Sequence, residues 1–143
     1  MIISLLISLL TVLRPVDASG WQRTYKALYK YYGEEVLLSE NHRVLPSGRL
    51  YAIDGKQELV YIGKSRSRFE DFDFLVILRD KKVDYVKILI YRETYGGEIC
   101  NKRYLERNYR GRGSPKPFVD AISGATISVN ALNASINELL INI

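Results

Sequence analysis

The chain has 143 residues, of which 47% are hydrophobic and 26% are charged, the balance expected of one folded domain with an ordinary core. Its formal net charge of +5 is modest and suits a phosphate-bearing ligand, an anionic lipid surface or nucleic acid. The single cysteine, Cys100, excludes an internal disulfide and a cysteine-cluster metal site, and we expect it to be a small buried side chain rather than a reactive thiol.

The N-terminal residues Met1–Leu13 form an apolar run that is too short to span a bilayer comfortably. Such a run is typical of a secretory signal peptide, and Val16-Asp17-Ala18 supplies small residues for a cleavage site. No Lys or Arg precedes the run, so a retained anchor and a buried N-terminal helix stay open as alternatives. We expect residues 1–18 to be a signal peptide or N-terminal anchor and the protein to be extracytoplasmic, in the periplasm or at the cell surface.

The first element after this segment is an amphipathic helix. Trp21, Tyr25, Leu28 and Tyr32 recur at helical spacing, and Gly33 is suited to the position just after a helix end. The aromatic stripe is expected to face the core rather than a cofactor. The following residues, 34–45, have no clear pattern, and Pro46-Ser47-Gly48 indicates a turn.

Four strands are predicted next, as two hairpins. The first hairpin turns at Asp54–Lys56 and the second at Asp80–Lys82, and a basic polar loop, Lys64–Arg68, connects them. The last strand has two largely apolar faces, which favours a central position in the sheet. The predicted strands are Arg49–Ile53, Glu58–Lys64, Phe72–Arg79 and Val83–Tyr91.

A strand-to-helix loop with adjacent glycines, residues 93–99, precedes a helix predicted over Asn101–Tyr109. Residues 101–117 are strongly basic and contain two tyrosines, a composition that can mark nucleic-acid binding. A solvated helix face and loop is the more ordinary interpretation, because no nucleic-acid fold signature accompanies it.

The last element is a helix whose first turn is built from small residues. Ser123 is predicted to be its N-cap, Gly124 and Ala125 keep that turn slim, and hydroxyl groups occur at Ser123, Thr126 and Ser128. Unpaired N–H groups at such a turn attract phosphate, although most capped helices hold no ligand. The apolar face of the predicted helix comprises Ala125, Val129, Leu132, Ile136, Leu139 and Ile143.

The motif Asp120-x-x-Ser123-Gly124-Ala125-Thr126 resembles the flavinylation signature D-x-x-[S/T]-G-A-T of FMN-binding domains, as in subunits of the sodium-pumping NADH:quinone reductase and of the Rnf complex. In that family a flavin transferase takes FMN from FAD and esterifies the FMN phosphate to the threonine hydroxyl. The resemblance therefore implies a covalent FMN on Thr126, with Asp120 read by the transferase.

A second resemblance lies in the loop Glu93-Thr94-Tyr95-Gly96-Gly97. The family has a Glu-Thr-Pro-Gly-x-Gly type of loop in this place, whereas this chain has Tyr95 at the proline position and adjacent glycines. The resemblance implies that Glu93, Thr94, Gly96 and Gly97 line the flavin pocket. Judged from the residues alone, a glycine turn with Glu93 in a salt bridge is the alternative.

Together these features predict an α+β fold, with a curved, mostly antiparallel sheet, packed helices and a C-terminal helix after the flavinylation loop. Residues 19–143 are expected to be an FMN-binding domain that carries electrons between extracytoplasmic or membrane redox proteins. No residue is predicted to be catalytic or to bind metal, so an electron carrier is favoured over a stand-alone oxidoreductase. The alternative is a module that binds flavin non-covalently, or none, and offers a basic surface to an anionic partner; nucleic acid is not expected.

Overall fold

The computed structural model describes residues 18–143, so the apolar segment assigned to a signal peptide or anchor lies outside the described residues apart from Ala18. No helix within the described range is long and apolar enough to cross a membrane. The helices are α1 (Ala18–Tyr32), α2 (Lys102–Tyr109) and α3 (Thr126–Asn142), and a 3-10 helix covers Gly97–Cys100. The strands are β1 (Leu38–Leu45), β2 (Gly48–Ile53), β3 (Leu59–Arg66), β4 (Asp71–Arg79) and β5 (Lys82–Tyr91).

The five strands form one antiparallel sheet in the order β1-β2-β3-β4-β5, which confirms the predicted α+β class. Asp80 and Lys81 have φ angles of 53° and 62°, the left-handed backbone that a tight β4–β5 hairpin turn requires. The expectation that the fourth predicted strand is central is wrong, because β5 lies at the sheet edge. Its two apolar faces are covered by helices instead.

Helices cover both faces of the sheet. Trp21 and Leu28 of α1, exposed by 1% and 0%, pack with Ile62 and Leu75 on one face. On the other face Leu132 and Ile136 of α3 are fully buried, as the helical periodicity predicted. Strand β4 is covered from both sides, since every residue from Phe72 to Leu78 is buried. The sheet is therefore the middle layer of three.

The sequence pattern missed strand β1. Only its two ends, Leu38 and Leu45, are buried. The residues between them are mostly exposed, and all are polar except Val44, which is 66% exposed. An edge strand of this kind lacks the alternation of apolar residues from which strands are recognised. Strand β3 also continues to Arg66, two residues beyond its predicted end at Lys64.

Cys100 is exposed, contrary to the expectation of a buried side chain. It ends the 3-10 helix directly after Ile99, which is fully buried. Because Ile99 fills the inward position of this short helix, its neighbour is left at the surface.

Candidate functional site

Helix α3 begins at Thr126, whose side chain is exposed. Gly124 has a φ of 83°, which places it outside the helix, and Ala125 occupies the N-cap position without a side-chain hydrogen bond. The prediction that Ser123 caps the helix is therefore wrong, since the left-handed Gly124 separates Ser123 from the first turn. Thr126 is left at the mouth of the helix, where backbone N–H groups have no partner within the helix.

An open cleft of about 230 Å³ lies in front of this helix start. One wall is the end of the motif, Gly124–Ser128, and the facing wall includes Glu93, Tyr95 and Gly96. The turn between β3 and β4 closes one side through Ser67 and Arg68. The two segments singled out in the sequence, some thirty residues apart, thus meet at one site.

Three hydroxyl groups form a network at the floor of the cleft, with Ser67 and Ser128 in the lining and Tyr91 beneath them. The Ser128 hydroxyl oxygen lies 2.8 Å from that of Ser67 and 2.7 Å from that of Tyr91. The Tyr91 hydroxyl also donates to the Tyr95 carbonyl at 2.5 Å. Ser128 is only 1% exposed, so this network fixes the β3–β4 turn, strand β5 and the loop after β5 against helix α3.

Gly96 is required by this network. Its φ is 83°, and a Cβ built on it would overlap the Tyr91 hydroxyl and lie 2.7 Å from Ser128 Oγ. Gly97 has open space around it and starts the 3-10 helix. Of the adjacent glycines, Gly96 is the one that lets the loop pass close over the hydroxyl groups.

The Glu93 carboxylate organises the turn at the side of the cleft. It accepts hydrogen bonds from the backbone amides of Phe69 at 3.0 Å and Glu70 at 3.2 Å. Partial desolvation raises the pKa of Glu93, but hydrogen bonds from the Ser67 hydroxyl and from these amides outweigh it, so the pKa lies below its ordinary value. Within residues 18–143 Glu93 forms no ion pair, so the salt-bridge alternative does not describe it.

The other sequence-selected residues lie around the cleft rather than in its lining. Asp120 forms an ion pair with Arg107 at 2.9 Å, and its backbone carbonyl accepts from the Tyr104 hydroxyl at 2.8 Å. Ser123, Thr94 and Gly97 are exposed neighbours of lining residues. The lining residues selected from sequence are Glu93, Gly96, Gly124, Ala125 and Thr126.

Sequence reasoning did not assign Ser67, Arg68, Tyr95, Ile127 or Ser128 to the site. The sequence contains a hydroxyl group at Ser128, but no local pattern indicates that it is buried under the cleft. Ser67 and Arg68 come from a different hairpin, and no local pattern links them to the motif.

Residues 70–141 match the model of the FMN-binding domain family. The match spans half of the chain, from the start of β4 almost to the end of α3. The chain belongs to the FMN-binding domain family. Comparison with the curated proteins and with the solved structures found no significant match. Membership of this family implies flavin-based electron transfer.

The cleft of this FMN-binding domain has the chemistry that FMN requires. An anionic phosphate is favoured at the start of α3 and beside the exposed Arg68 guanidinium. The rim offers apolar surface to the planar flavin ring, since Tyr95 is 77% exposed and Ile127 is 49% exposed there. Because Gly96 has no side chain, the loop lies close to the hydroxyl groups of Tyr91 and Ser128, and no side chain enters the cleft at this point. The residues present therefore fit the cofactor.

Proposed function

We propose that FMN is attached through its phosphate to the Thr126 hydroxyl by a separate flavin transferase, and that the domain relays electrons between extracytoplasmic redox partners. The observation that carries this proposal is the position of Thr126. Its side chain is exposed at the first residue of α3 and opens onto the cleft whose other wall is the loop after β5. The extracytoplasmic location is supported by the N-terminal sequence.

In this proposal a separate enzyme supplies the general base, because the lining of the cleft contains no histidine. The only histidine, His42, lies on β1, and its Nε2 is 3.1 Å from Arg49 Nη1. In the transfer, the Thr126 oxygen forms a bond to the FMN phosphorus of FAD and the phosphoanhydride bond breaks. AMP leaves, and the hydroxyl proton passes to a base of the transferase. Because Gly124 and Ala125 are small, the loop that carries Thr126 is slim enough to enter the active site of the transferase.

Asp120 supports recognition by the transferase rather than contact with the flavin. Its carboxylate is exposed and held by Arg107, on the α2 side of the motif. A carboxylate beside the phosphodiester would repel it, and this ion pair partly neutralises that charge. The phosphodiester itself is stabilised at the helix start by about 0.3–1 kcal/mol.

The flavin, when bound, supplies one- and two-electron chemistry. The chain's own residues hold and orient it. The hydroxyl network of Ser67, Tyr91 and Ser128 makes the floor rigid, and Glu93 holds the turn that carries Arg68. Tyr95 presents an exposed ring at the rim against which a flat cofactor can stack.

The test is co-expression of the full chain with a flavin transferase, followed by denaturation and intact-mass measurement. We expect a mass increase of one FMN phosphoester and yellow fluorescence that stays with the denatured chain. Thr126→Val should abolish both, whereas Ser123→Ala, which changes a neighbouring hydroxyl of the motif, should leave at least some of each. Flavin that is released on denaturation would show non-covalent binding, and a colourless chain would favour the cofactor-free module.

A further inference from the structure

A second concave surface, here called the basic groove, lies between α1 and α2 along the edge strand β5. It consists of two adjoining cavities of about 560 Å³ and 490 Å³ that share Lys30 and Lys87. Among the described residues, seven cationic side chains line it against two carboxylates, those of Asp84 and Glu106. The cationic residues are Arg23, Lys26, Lys30, Arg79, Lys87, Lys102 and Arg110.

Little within the described residues neutralises this charge. Arg79 approaches Glu58 at 3.9 Å and interacts electrostatically with Asp84, whose carboxylate also accepts from the Tyr31 hydroxyl. Arg23 donates to the Leu89 carbonyl at 3.2 Å. The other five cationic groups have no carboxylate within 4.0 Å in residues 18–143, namely Lys26, Lys30, Lys87, Lys102 and Arg110. The groove therefore carries a concentrated positive potential.

The charges converge from separate elements of the fold. Helix α1 supplies one wall, helix α2 and its C-terminal end supply the other, and the half-buried Lys87 of β5 lies on the floor. The solvated face of a single helix would not produce this arrangement. Helix α1 also lies outside residues 70–141, so the groove combines the segment that matches the family with a helix outside that segment.

The groove and the cofactor cleft both adjoin β5, but on opposite faces of the sheet. Leu89 lines the groove and packs with the residues under α1, whereas Tyr91, two residues further on, packs with the residues under α3 and lies beneath the cleft. A partner seated in the groove thus contacts the edge strand whose other face supports the proposed flavin site.

We infer that the basic groove is the docking surface for an acidic protein that exchanges electrons with this domain. A concave surface with charge on its floor and both walls fits a protruding acidic segment, whereas a flat bilayer would reach only the rims. Electrostatic complementarity of this kind steers transient partners together quickly without requiring a large interface. That the partner is a redox protein rests on the proposed function; the affinity for acidic segments does not.

The test uses the full chain produced without a flavin transferase, so its result does not depend on the cofactor. Binding of a fluorescent polyglutamate peptide is titrated at several salt concentrations. The groove variant is Lys26→Glu/Lys30→Glu/Lys87→Glu, and the control variant Arg43→Glu/Lys81→Glu/Lys116→Glu changes the net charge equally at exposed positions. We expect the groove variant to weaken binding by about tenfold or more and to flatten its salt dependence, with less than about threefold loss in the control.

Equal losses in the two variants would overturn the inference, because net charge alone would then explain binding. It would also be overturned if phosphatidylglycerol vesicles, and not the peptide, depended on the groove lysines. Lys26→Glu/Lys30→Glu leaves Lys87 intact and changes two exposed positions of α1, which keeps the test valid should the triple variant fold poorly. Failure of the proposed function would appear separately, as a missing FMN mass in the co-expression experiment.

Discussion

The hydroxyl oxygens of Tyr91 and Ser128 lie 2.7 Å apart, which joins strand β5 to helix α3 only two residues after the helix begins. Ser67 bonds to the same Ser128 hydroxyl from the β3–β4 turn. A buried hydroxyl shared by three segments restricts all of them, because no segment can move without leaving a polar group unsatisfied. The cleft is therefore organised before any cofactor arrives.

Ser128→Ala should destabilise the fold by about 1–3 kcal/mol, because the hydroxyl groups of Ser67 and Tyr91 both lose a partner. Tyr91→Phe should act on the same network. The double variant should cost less than the sum of the two, with a coupling of about 0.5–3 kcal/mol. Urea unfolding of the four proteins measures this, and strictly additive costs would show that the two hydroxyl groups act independently.

Gly96→Ala should destabilise the protein and reduce flavin attachment. The left-handed backbone costs alanine about 1–2 kcal/mol, and overlap with the Tyr91 hydroxyl adds to that cost. The adjacent Gly97→Ala is the matched control, since a Cβ there meets open space. Unfolding midpoints and FMN content per chain are the measurements. Similar behaviour of the two variants would contradict the role assigned to Gly96.

The stability contributed by Glu93 should depend on pH. Because the pKa of Glu93 is lowered in the folded state, the unfolded chain binds more protons as the solution is acidified. The contribution is complete above the ordinary carboxyl pKa of 4.5 and is lost as pH falls through the lower folded value. The difference in unfolding free energy between the wild type and Glu93→Gln should therefore shrink on acidification.

Urea unfolding over a series of pH values from neutral to strongly acidic measures this difference. Glu35→Gln, at an exposed position, controls for the loss of one negative charge. A difference that stays constant or grows on acidification would rule out the hydrogen-bonded carboxylate described for Glu93.

Asn133→Ala should loosen the loop that leads into the motif. The Lys116 carbonyl accepts hydrogen bonds from Asn133 at 3.1 Å, Arg112 at 3.0 Å and Asn137 at 2.7 Å. Asn133 also accepts from the buried Arg112 guanidinium at 2.9 Å. Removing it leaves a buried charge with fewer partners, at a cost of about 1–3 kcal/mol. Faster proteolysis between α2 and α3 and a lower urea midpoint are expected, with the exposed Asn130→Ala unchanged.

The helices and the two motif segments could be predicted from sequence because their signals are local. Apolar spacing fixed the buried face of α3, and the motif carried the resemblance that the family match bears out. Strand β1 could not be predicted, since its residues from Ser39 to Arg43 are polar and give no alternating apolar pattern. The edge position of β5 depends on which elements cover its faces, and a strand pattern does not contain that information.

The cleft itself was only partly predictable. Glu93 and Thr126 were selected through resemblance, and the structure places both in the lining of the cleft. The burial of Ser128, and its bond to Ser67, follow from the packing of a hairpin against a distant helix. Contacts between residues so far apart in the sequence do not produce a periodic pattern of residue types.

The family match begins at residue 70, which lies inside the five-stranded sheet rather than before it. Strand β4 begins at Asp71 and pairs along its length with β3, which lies before that boundary, as do Ser67 and Arg68. A fragment starting at Glu70 would lose one side of the cleft and leave the most apolar strand with a bare edge, a template for aggregation. Truncations meant to isolate the flavin-binding part should therefore retain the first three strands.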